Sequence, residues 1–118
     1  MIHSKRIYHP PSPQDGQRIL VERLWPRGIS KADAAIDLWL KEIAPSSDLR
    51  RWFGHAEARW QGFQVRYREE LEQNQETVAL LLQLARQHEL TLIYSARDKP
   101  GNSAQVLRQY LEERLTQE

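Results

Sequence analysis

The sequence predicts an α/β fold, a three-layer sandwich with a mainly parallel central sheet of about four strands and helices on both faces. Three observations predict it. Short apolar segments alternate along the chain with longer segments of helical periodicity. Residues 19–21 and 92–94 are uninterrupted apolar runs, as in strands that are buried on both faces. The 118 residues fit a single domain, which we expect to span residues 1–118.

Two strands and a short helix are predicted in the first third of the chain. Residues 2–8 form a short strand, and a segment rich in proline and glycine separates it from a second strand at residues 18–22. Ser30 then opens a short helix as its N-cap, with Asp33 at the third helical position.

Residues 36–45 fit two structures. A helix would place Ile36, Leu40 and Ile43 on one face, whereas a strand would have its apolar centre at residues 38–40. Periodicity alone does not choose between them.

Cap residues and apolar stripes define the second half of the chain. Ser46 or Ser47 is the N-cap of a short helix that ends at Gly54. A longer helix at residues 57–74 carries an apolar stripe at helical spacing. The stripe consists of Trp60, Phe63, Tyr67 and Leu71.

Three further elements complete the prediction. Asn74 caps a helix at residues 77–88, and residues 91–94 form the clearest buried strand. Asn102 caps the last helix, with Gln105 at its third position.

Composition excludes several kinds of site and several locations. Without cysteine, the chain has no disulfide, thiolate nucleophile or thiolate zinc site. The four histidines lack metal-motif spacing, and no Walker A or G-x-G-x-x-G segment is present, so we predict no metal and no cofactor. The longest apolar run, residues 78–82, is too short to cross a bilayer, and no signal peptide is visible. We therefore expect a cytoplasmic protein that has no membrane partner.

Charged side chains follow both of the clearest predicted strands. Glu22, Arg23 and Arg27 follow the first, and Lys31 stands on the helix after it. Because ligands of open α/β sheets bind at the carboxyl ends of the strands, these side chains are candidate ligand residues.

The second strand end adds a similar set. Ser95, Arg97 and Asp98 follow it directly, and Asn102 stands at a helix start, where free N–H groups favour an anion. Arginine matches phosphate or carboxylate with planar, permanently charged donors. The alternative is that both clusters are surface ion pairs that serve only structure.

A nucleic-acid- or protein-binding module is the alternative function. Arg50, Arg51 and Trp52 would form its binding face, together with the helix that starts near Glu57. The net charge of +1 does not indicate a nucleic-acid protein, and glutamates stand at pairing distance from the helical arginines. Covalent serine catalysis at Ser95 is disfavoured, since no G-x-S-x-G segment surrounds it and no histidine follows it in the sequence to act as base.

Four linked motifs resemble the YeaO-like branch of the domain-of-unknown-function 488 family. They occupy residues 19–31, 39–46, 49–55 and 92–98, in the family's order and spacing. The resemblance implies that residues 36–44 form a strand. It thereby adds Lys41, Glu42 and the Pro45–Ser46 pair to the predicted site, at the carboxyl end of a third strand.

Three departures from the family's pattern narrow the chemistry. Glu22 stands where the family usually has aspartate, and Gly101 stands where it usually has a histidine before Asn102. The cysteines of the other branch are absent. Arginine, carboxylate and serine remain, and this set favours anion recognition over covalent or metal catalysis.

The sequence therefore predicts a pocket for a small anionic ligand, a phosphate or carboxylate, at the carboxyl ends of the strands. Glu22 and Asp98 are the candidates for a catalytic role, should a reaction occur there. The predicted ligand-binding residues are Arg23, Trp25, Arg27, Lys31, Lys41, Ser46, Ser95, Arg97 and Asn102.

Overall fold

A computed structural model describes residues 1–96 and 102–117 of the chain. Four strands form one parallel sheet, in the order β1-β4-β2-β3. The strands are β1 (Ile2–Arg6), β2 (Gln17–Leu20), β3 (Leu38–Trp39) and β4 (Leu90–Tyr94). The two strands with the uninterrupted apolar runs lie in the middle of the sheet, and the predicted α/β fold with a four-stranded parallel sheet is confirmed.

Helices cover the sheet unequally. The described α-helices are α1 (Lys31–Ala34), α2 (Ser47–Phe53), α3 (Trp60–Glu72), α4 (Gln75–Gln87) and α5 (Ser103–Thr116). Short 3-10 turns lie at Pro13–Asp15, Lys41–Ile43 and Glu57–Arg59. The helix predicted at residues 57–74 is thus α-helical only within α3, because its first turn is 3-10. None of the described helices is long and apolar enough to span a membrane.

The strand register divides the apolar side chains between two cores. Ile2 pairs with Leu90, and Ile19 pairs with Leu92; all four belong to the larger core, on the face covered by α2 to α5. The smaller core lies on the opposite face beneath α1 and consists of Ile7, Leu20, Ala34 and Ile93. Helices therefore pack on both faces, with the thicker layer on the α3 side.

Most of the predicted caps are confirmed. Ser30, Ser46 and Asn102 each accept a hydrogen bond from the backbone N–H three residues later. Gly54 ends α2 in the left-handed region, with φ at 50°.

The prediction that the Asn74 side chain caps α4 is wrong. Asn74 directly precedes α4, but its side-chain Nδ2 donates to the backbone oxygen of Glu42 at 2.8 Å and makes no cap hydrogen bond. This tertiary contact replaces the local one and ties the start of α4 to the segment after β3.

The segment that fitted two structures contains a strand, but a much shorter one than residues 36–44. β3 ends where its partner β2 ends, and Leu40 N donates to Leu20 O at 2.9 Å. The chain then turns in a 3-10 helix that buries Ile43 at 1% exposure. Lys41 therefore follows the strand closely, whereas Ser46 lies beyond the turn as the N-cap of α2.

A buried charge cluster, which we call the Asp15 cluster, lies on the α1 face near the start of β2. Asp15 accepts a hydrogen bond from Lys5 Nζ at 2.7 Å and from Arg18 Nη1 at 2.6 Å. The Asp15 and Arg18 side chains are only 7% and 5% exposed. Such charges are tolerated inside a protein because they neutralise one another.

Candidate functional site

Glu22 joins the ends of three strands at the carboxyl-terminal edge of the sheet. Its carboxylate accepts hydrogen bonds from Ser95 N, at 3.3 Å, and from Ser95 Oγ. Its backbone oxygen accepts from Trp39 Nε1 at 2.6 Å. The candidate base is therefore engaged by the residue that follows β4, in a half-buried position.

Arg23 is held against the loop between β3 and α2. Its Nε donates to Pro45 O at 3.0 Å, and its Nη2 donates to Ala44 O at 3.1 Å. Nη1 makes no hydrogen bond to any described residue, and no described carboxylate lies within 4.0 Å of this guanidinium. The side chain is thus fixed in place but keeps donors that no described residue uses.

Ser46 is held by a glutamate of α3. Ser46 N donates to Glu70 Oε1 at 2.9 Å, and Ser46 Oγ donates to Glu70 Oε2 at 2.6 Å. The same Oγ accepts from Leu49 N as the cap of α2. These contacts fix the Glu70 carboxylate at the side of the loop that carries the Arg23 contacts.

An open cleft of about 330 Å³, which we call the Arg23 cleft, brings Arg23 and Ser46 together. It runs between the 3-10 turn after β3 and the C-terminal half of α3. Its walls include Arg23, Glu42, Ser46, Tyr67, Glu70 and Asn74. Two of the predicted ligand residues therefore share one concave surface.

Tyr67 forms the floor of the Arg23 cleft. Burial raises the pKa of the Tyr67 phenol well above its ordinary value, the Glu70 and Glu22 carboxylates raise that pKa further, and Arg23 lowers it. The neutral phenol donates to Ile43 O at 2.6 Å. Tyr67 thus stays protonated and donates a hydrogen bond, and three charged groups around it shift its pKa.

Trp25 and Lys41 lie on the α1 side of the same edge. The rings of Trp25 and Trp39 meet edge to face with centroids 5.5 Å apart, and Lys41 Nζ lies 4.1 Å from the centre of the Trp39 ring. Trp25 Nε1 donates to Ile29 O at 2.8 Å. Both indole N–H groups are therefore occupied by backbone oxygens, and Lys41 covers one tryptophan face.

Arg27 and Lys31 are exposed, and their side chains make no hydrogen bond or ion pair with the described residues. The backbone oxygen of Arg27 accepts from Tyr8 Oη at 2.8 Å, which ties its loop to the end of β1. The Arg6 guanidinium lies 5.1 Å from the centre of the same Tyr8 ring.

The last predicted motif is described only in part. Ser95 contacts Glu22, and Asn102 is buried as the N-cap of α5. Arg6 holds the segment after β4, since its Nε donates to Ala96 O at 2.9 Å and its Nη2 to Ser95 O at 3.3 Å. The predictions for Arg97 and Asp98 lie outside the described residues.

The surface of the alternative function is only partly free. Arg51 pairs with Asp48, whereas Arg50 is exposed without a partner among the described residues. The Trp52 ring is half-buried, and the Arg66 guanidinium lies 4.0 Å from its centre. The groove of about 610 Å³ beside Trp52 is lined by the carboxylates of Asp48, Glu69, Glu70 and Glu72.

Sequence reasoning missed Glu70 and the Asp15 cluster. Glu70 is one of the glutamates at pairing distance from the helical arginines, and its contact to Ser46, 24 residues distant in sequence, has no local signal. For Asp15, a signal was present: Ser12 and Asp15 form a capping box around the 3-10 turn. Within the described part of the chain, no group of three or more histidine or carboxylate side chains could hold a metal.

Comparisons with known proteins identify relatives along the whole chain. A family model described as the inactive DUF488-N3 subclade matches residues 1–118. The uncharacterized protein YeaO of Escherichia coli (strain K12) is 44% identical over 110 residues, 93% of this chain and 96% of that protein. The uncharacterized proteins Mb3100c of Mycobacterium bovis and Rv3073c of Mycobacterium tuberculosis are 40% identical over 106 residues, 90% of this chain and 89% of each of them. No solved structure gives a significant match.

Proposed function

The chain belongs to the inactive DUF488-N3 subclade, and on this premise we propose that it binds a small anionic ligand without converting it. The ligand's carboxylate or phosphate group would be held in the Arg23 cleft. The description of the subclade as inactive supports binding rather than turnover.

One observation carries the proposal: Arg23 is fixed by two backbone oxygens in a concave site, and its Nη1 makes no hydrogen bond to any residue in the described part of the chain. A guanidinium whose orientation is already set loses little side-chain entropy when an anion binds. Ser46 Oγ and the Tyr67 phenol lie in the same walls but donate their hydrogens to Glu70 Oε2 and Ile43 O. The Arg23 guanidinium is therefore the donor for the anion. Charge-assisted hydrogen bonds of this kind are the strong ones in ligand sites.

The exposed cations of the α1 side, Arg27, Lys31 and Lys41, have a secondary role in this proposal. They lie on the segments that follow β2 and β3 at the same edge and raise the local concentration of anions through their field. The exposed carboxylates Asp33 and Glu42 on the same segments weaken this field. We therefore assign the specific contact to Arg23 and not to these side chains.

The nucleic-acid alternative has less support from the described contacts. Trp52 is covered by Arg66, and the adjoining groove carries carboxylates that repel phosphate. Arg50 is the exposed cation on which that alternative now depends.

An NMR titration tests the proposal. Propionate and inorganic phosphate are added to the wild type, to Arg23→Met and to Arg50→Met, and the backbone amide shifts are followed. We expect saturable shifts at Ser46 with a Kd on the order of a millimolar, as suits a ligand of few atoms. Loss of the charge-assisted contact should weaken binding about tenfold in Arg23→Met, whereas Arg50→Met should bind as the wild type does.

Two results would count against the proposal. Binding that is equal in Arg23→Met and the wild type would show that Arg23 is not the anion contact. A single-stranded oligonucleotide that binds the wild type and is lost with Arg50→Met would favour the alternative function.

A further inference from the structure

The charges of the Arg23 cleft do not suit a ligand that is only an anion. Against the guanidinium of Arg23, its walls carry two carboxylates, Glu42 and Glu70. An anion bound to Arg23 would be repelled by both. A ligand with a second, cationic group would instead be attracted at both ends.

Arg23 and Glu70 do not neutralise each other directly. Their charged atoms are more than 4.0 Å apart, since no ion pair joins these two described residues. Both nevertheless influence the pKa of the same Tyr67 phenol. The two opposite charges therefore line the same cleft without forming an ion pair with each other.

Glu70 is prepared to accept a hydrogen bond from a cation. Its two oxygens are fixed by Ser46 N and Ser46 Oγ, which use about two of the roughly four lone-pair sites of a carboxylate. The side chain is half-buried, so a charged partner would meet less competition from water than on an open surface.

The size of the cleft agrees with a small ligand. A volume of about 330 Å³ lies at the lower end of the range for ligand pockets. The amide side chains of Gln73 and Asn74 add uncharged polar groups to the rim.

We propose that the ligand of the Arg23 cleft is a small zwitterion of the α-amino acid class. Its carboxylate is bound by Arg23, and its ammonium group is bound by Glu70. This inference rests on the proposed function and specifies in addition that the ligand carries a cationic group.

Three probes of similar size separate the two ideas: propionate, propylamine and L-alanine, each titrated into the wild type and followed by NMR at Ser46. We expect L-alanine to bind on the order of tenfold more tightly than either singly charged probe, because it makes both charge-assisted contacts. Glu70→Gln should remove this advantage and leave propionate binding unchanged or stronger. Glu69→Gln, the same change at the neighbouring residue outside the cleft, should retain the advantage.

The outcomes are distinguishable. If propionate binds as tightly as L-alanine, the zwitterion is excluded and the anion site stands. If propylamine binds most tightly, or if neither the three probes nor inorganic phosphate binds, both the zwitterion and the anion site are excluded; if phosphate alone binds, the zwitterion is excluded and the anion site stands. The wild-type comparison decides between these results even if Glu70→Gln fails to fold.

Discussion

Arg18 and Arg23 stand at opposite ends of β2, and the protein uses them in different ways. All three guanidinium nitrogens of Arg18 are engaged: Nη1 contacts Asp15, Nη2 contacts Ala34 O at 2.8 Å, and Nε contacts Ala34 O and Ala35 O at 3.2 and 3.1 Å. Arg23 has two nitrogens engaged, both by backbone oxygens, and lines a cleft.

The difference shows how surroundings decide the role of one residue type. Arg18 is buried and neutralises Asp15. It also donates hydrogen bonds to the backbone oxygens at the C-terminal end of α1. Arg23 is half-buried, without a described carboxylate partner, and so retains both charge and donors. A fully satisfied arginine stabilises the fold, whereas a partly satisfied one can bind something else.

The largest expected effect comes from removing Arg18. Arg18→Met leaves the buried Asp15 with only Lys5 as a cationic partner and frees the oxygens at the end of α1. Breaking a buried ion pair from one side costs about 3–5 kcal/mol. Urea unfolding followed by circular dichroism should therefore show a fall of that size in the free energy of unfolding.

Arg50→Met is the matched control for this measurement. Arg50 is exposed and has no partner in the described part of the chain, so its removal should change the free energy of unfolding by less than about 0.5 kcal/mol. An equal effect of the two substitutions would refute the structural role of the Asp15 cluster.

The elements that the sequence predicted well are those with local causes. The strands at 19–21 and 92–94 follow from apolar runs, and the helix starts at Ser30, Ser46 and Asn102 follow from side-chain caps. The resemblance to the YeaO-like branch is confirmed by the matches along the chain. Each of these signals lies within a few consecutive residues.

The features that the sequence did not reveal depend on contacts between distant segments. Arg18 was interpreted only as the start of a strand, yet its charge is satisfied by the end of α1, 16 and 17 residues later. Glu70 has the local spacing of a helix-face charge, yet it binds Ser46. The strand at residues 36–44 was predicted too long, because its length is set by where β2 ends and not by its own apolar residues.

The pH dependence of stability is a second test of the comparison between Arg18 and Arg23. Burial raises the pKa of Asp15, but hydrogen bonds from Lys5, the Ser12 N–H and Arg18 outweigh this effect and hold the pKa below its ordinary value of 3.8. Because the folded protein then binds fewer protons than the unfolded chain, the stability from Asp15 is present above pH 3.8. It is lost as the pH falls from there through the lower pKa of the folded state.

Urea unfolding at a series of pH values from neutral to strongly acidic measures this loss. We expect Asp15→Asn to flatten the acid limb of the curve. Glu113→Gln is the control, since the pKa of Glu113 is also lowered, by Arg68, but on the surface, where an ion pair stabilises little. A larger change in slope for Glu113→Gln than for Asp15→Asn would contradict the assignment.

Replacing Arg23 should cost less stability than replacing Arg18, and this variant completes the comparison. Arg23→Met removes two hydrogen bonds to Ala44 O and Pro45 O, each with a net value of about 0.5–1.5 kcal/mol. Because these oxygens border an open cleft, water can replace the lost donors, and we expect a fall of only about 1 kcal/mol in the free energy of unfolding.

The same variant should lose about half of the stabilisation that a bound ligand gives. A ligand at about 100 times its Kd raises the unfolding free energy of a binding protein by about 2.7 kcal/mol. L-alanine at that concentration should therefore stabilise the wild type and Arg18→Met to similar extents, whereas tenfold weaker binding leaves Arg23→Met only about 1.4 kcal/mol of stabilisation in urea unfolding. If Arg23→Met were instead as unstable as Arg18→Met and stabilised by the ligand as much as the wild type, Arg23 would be a structural residue like Arg18, and the binding site would lie elsewhere on the molecule.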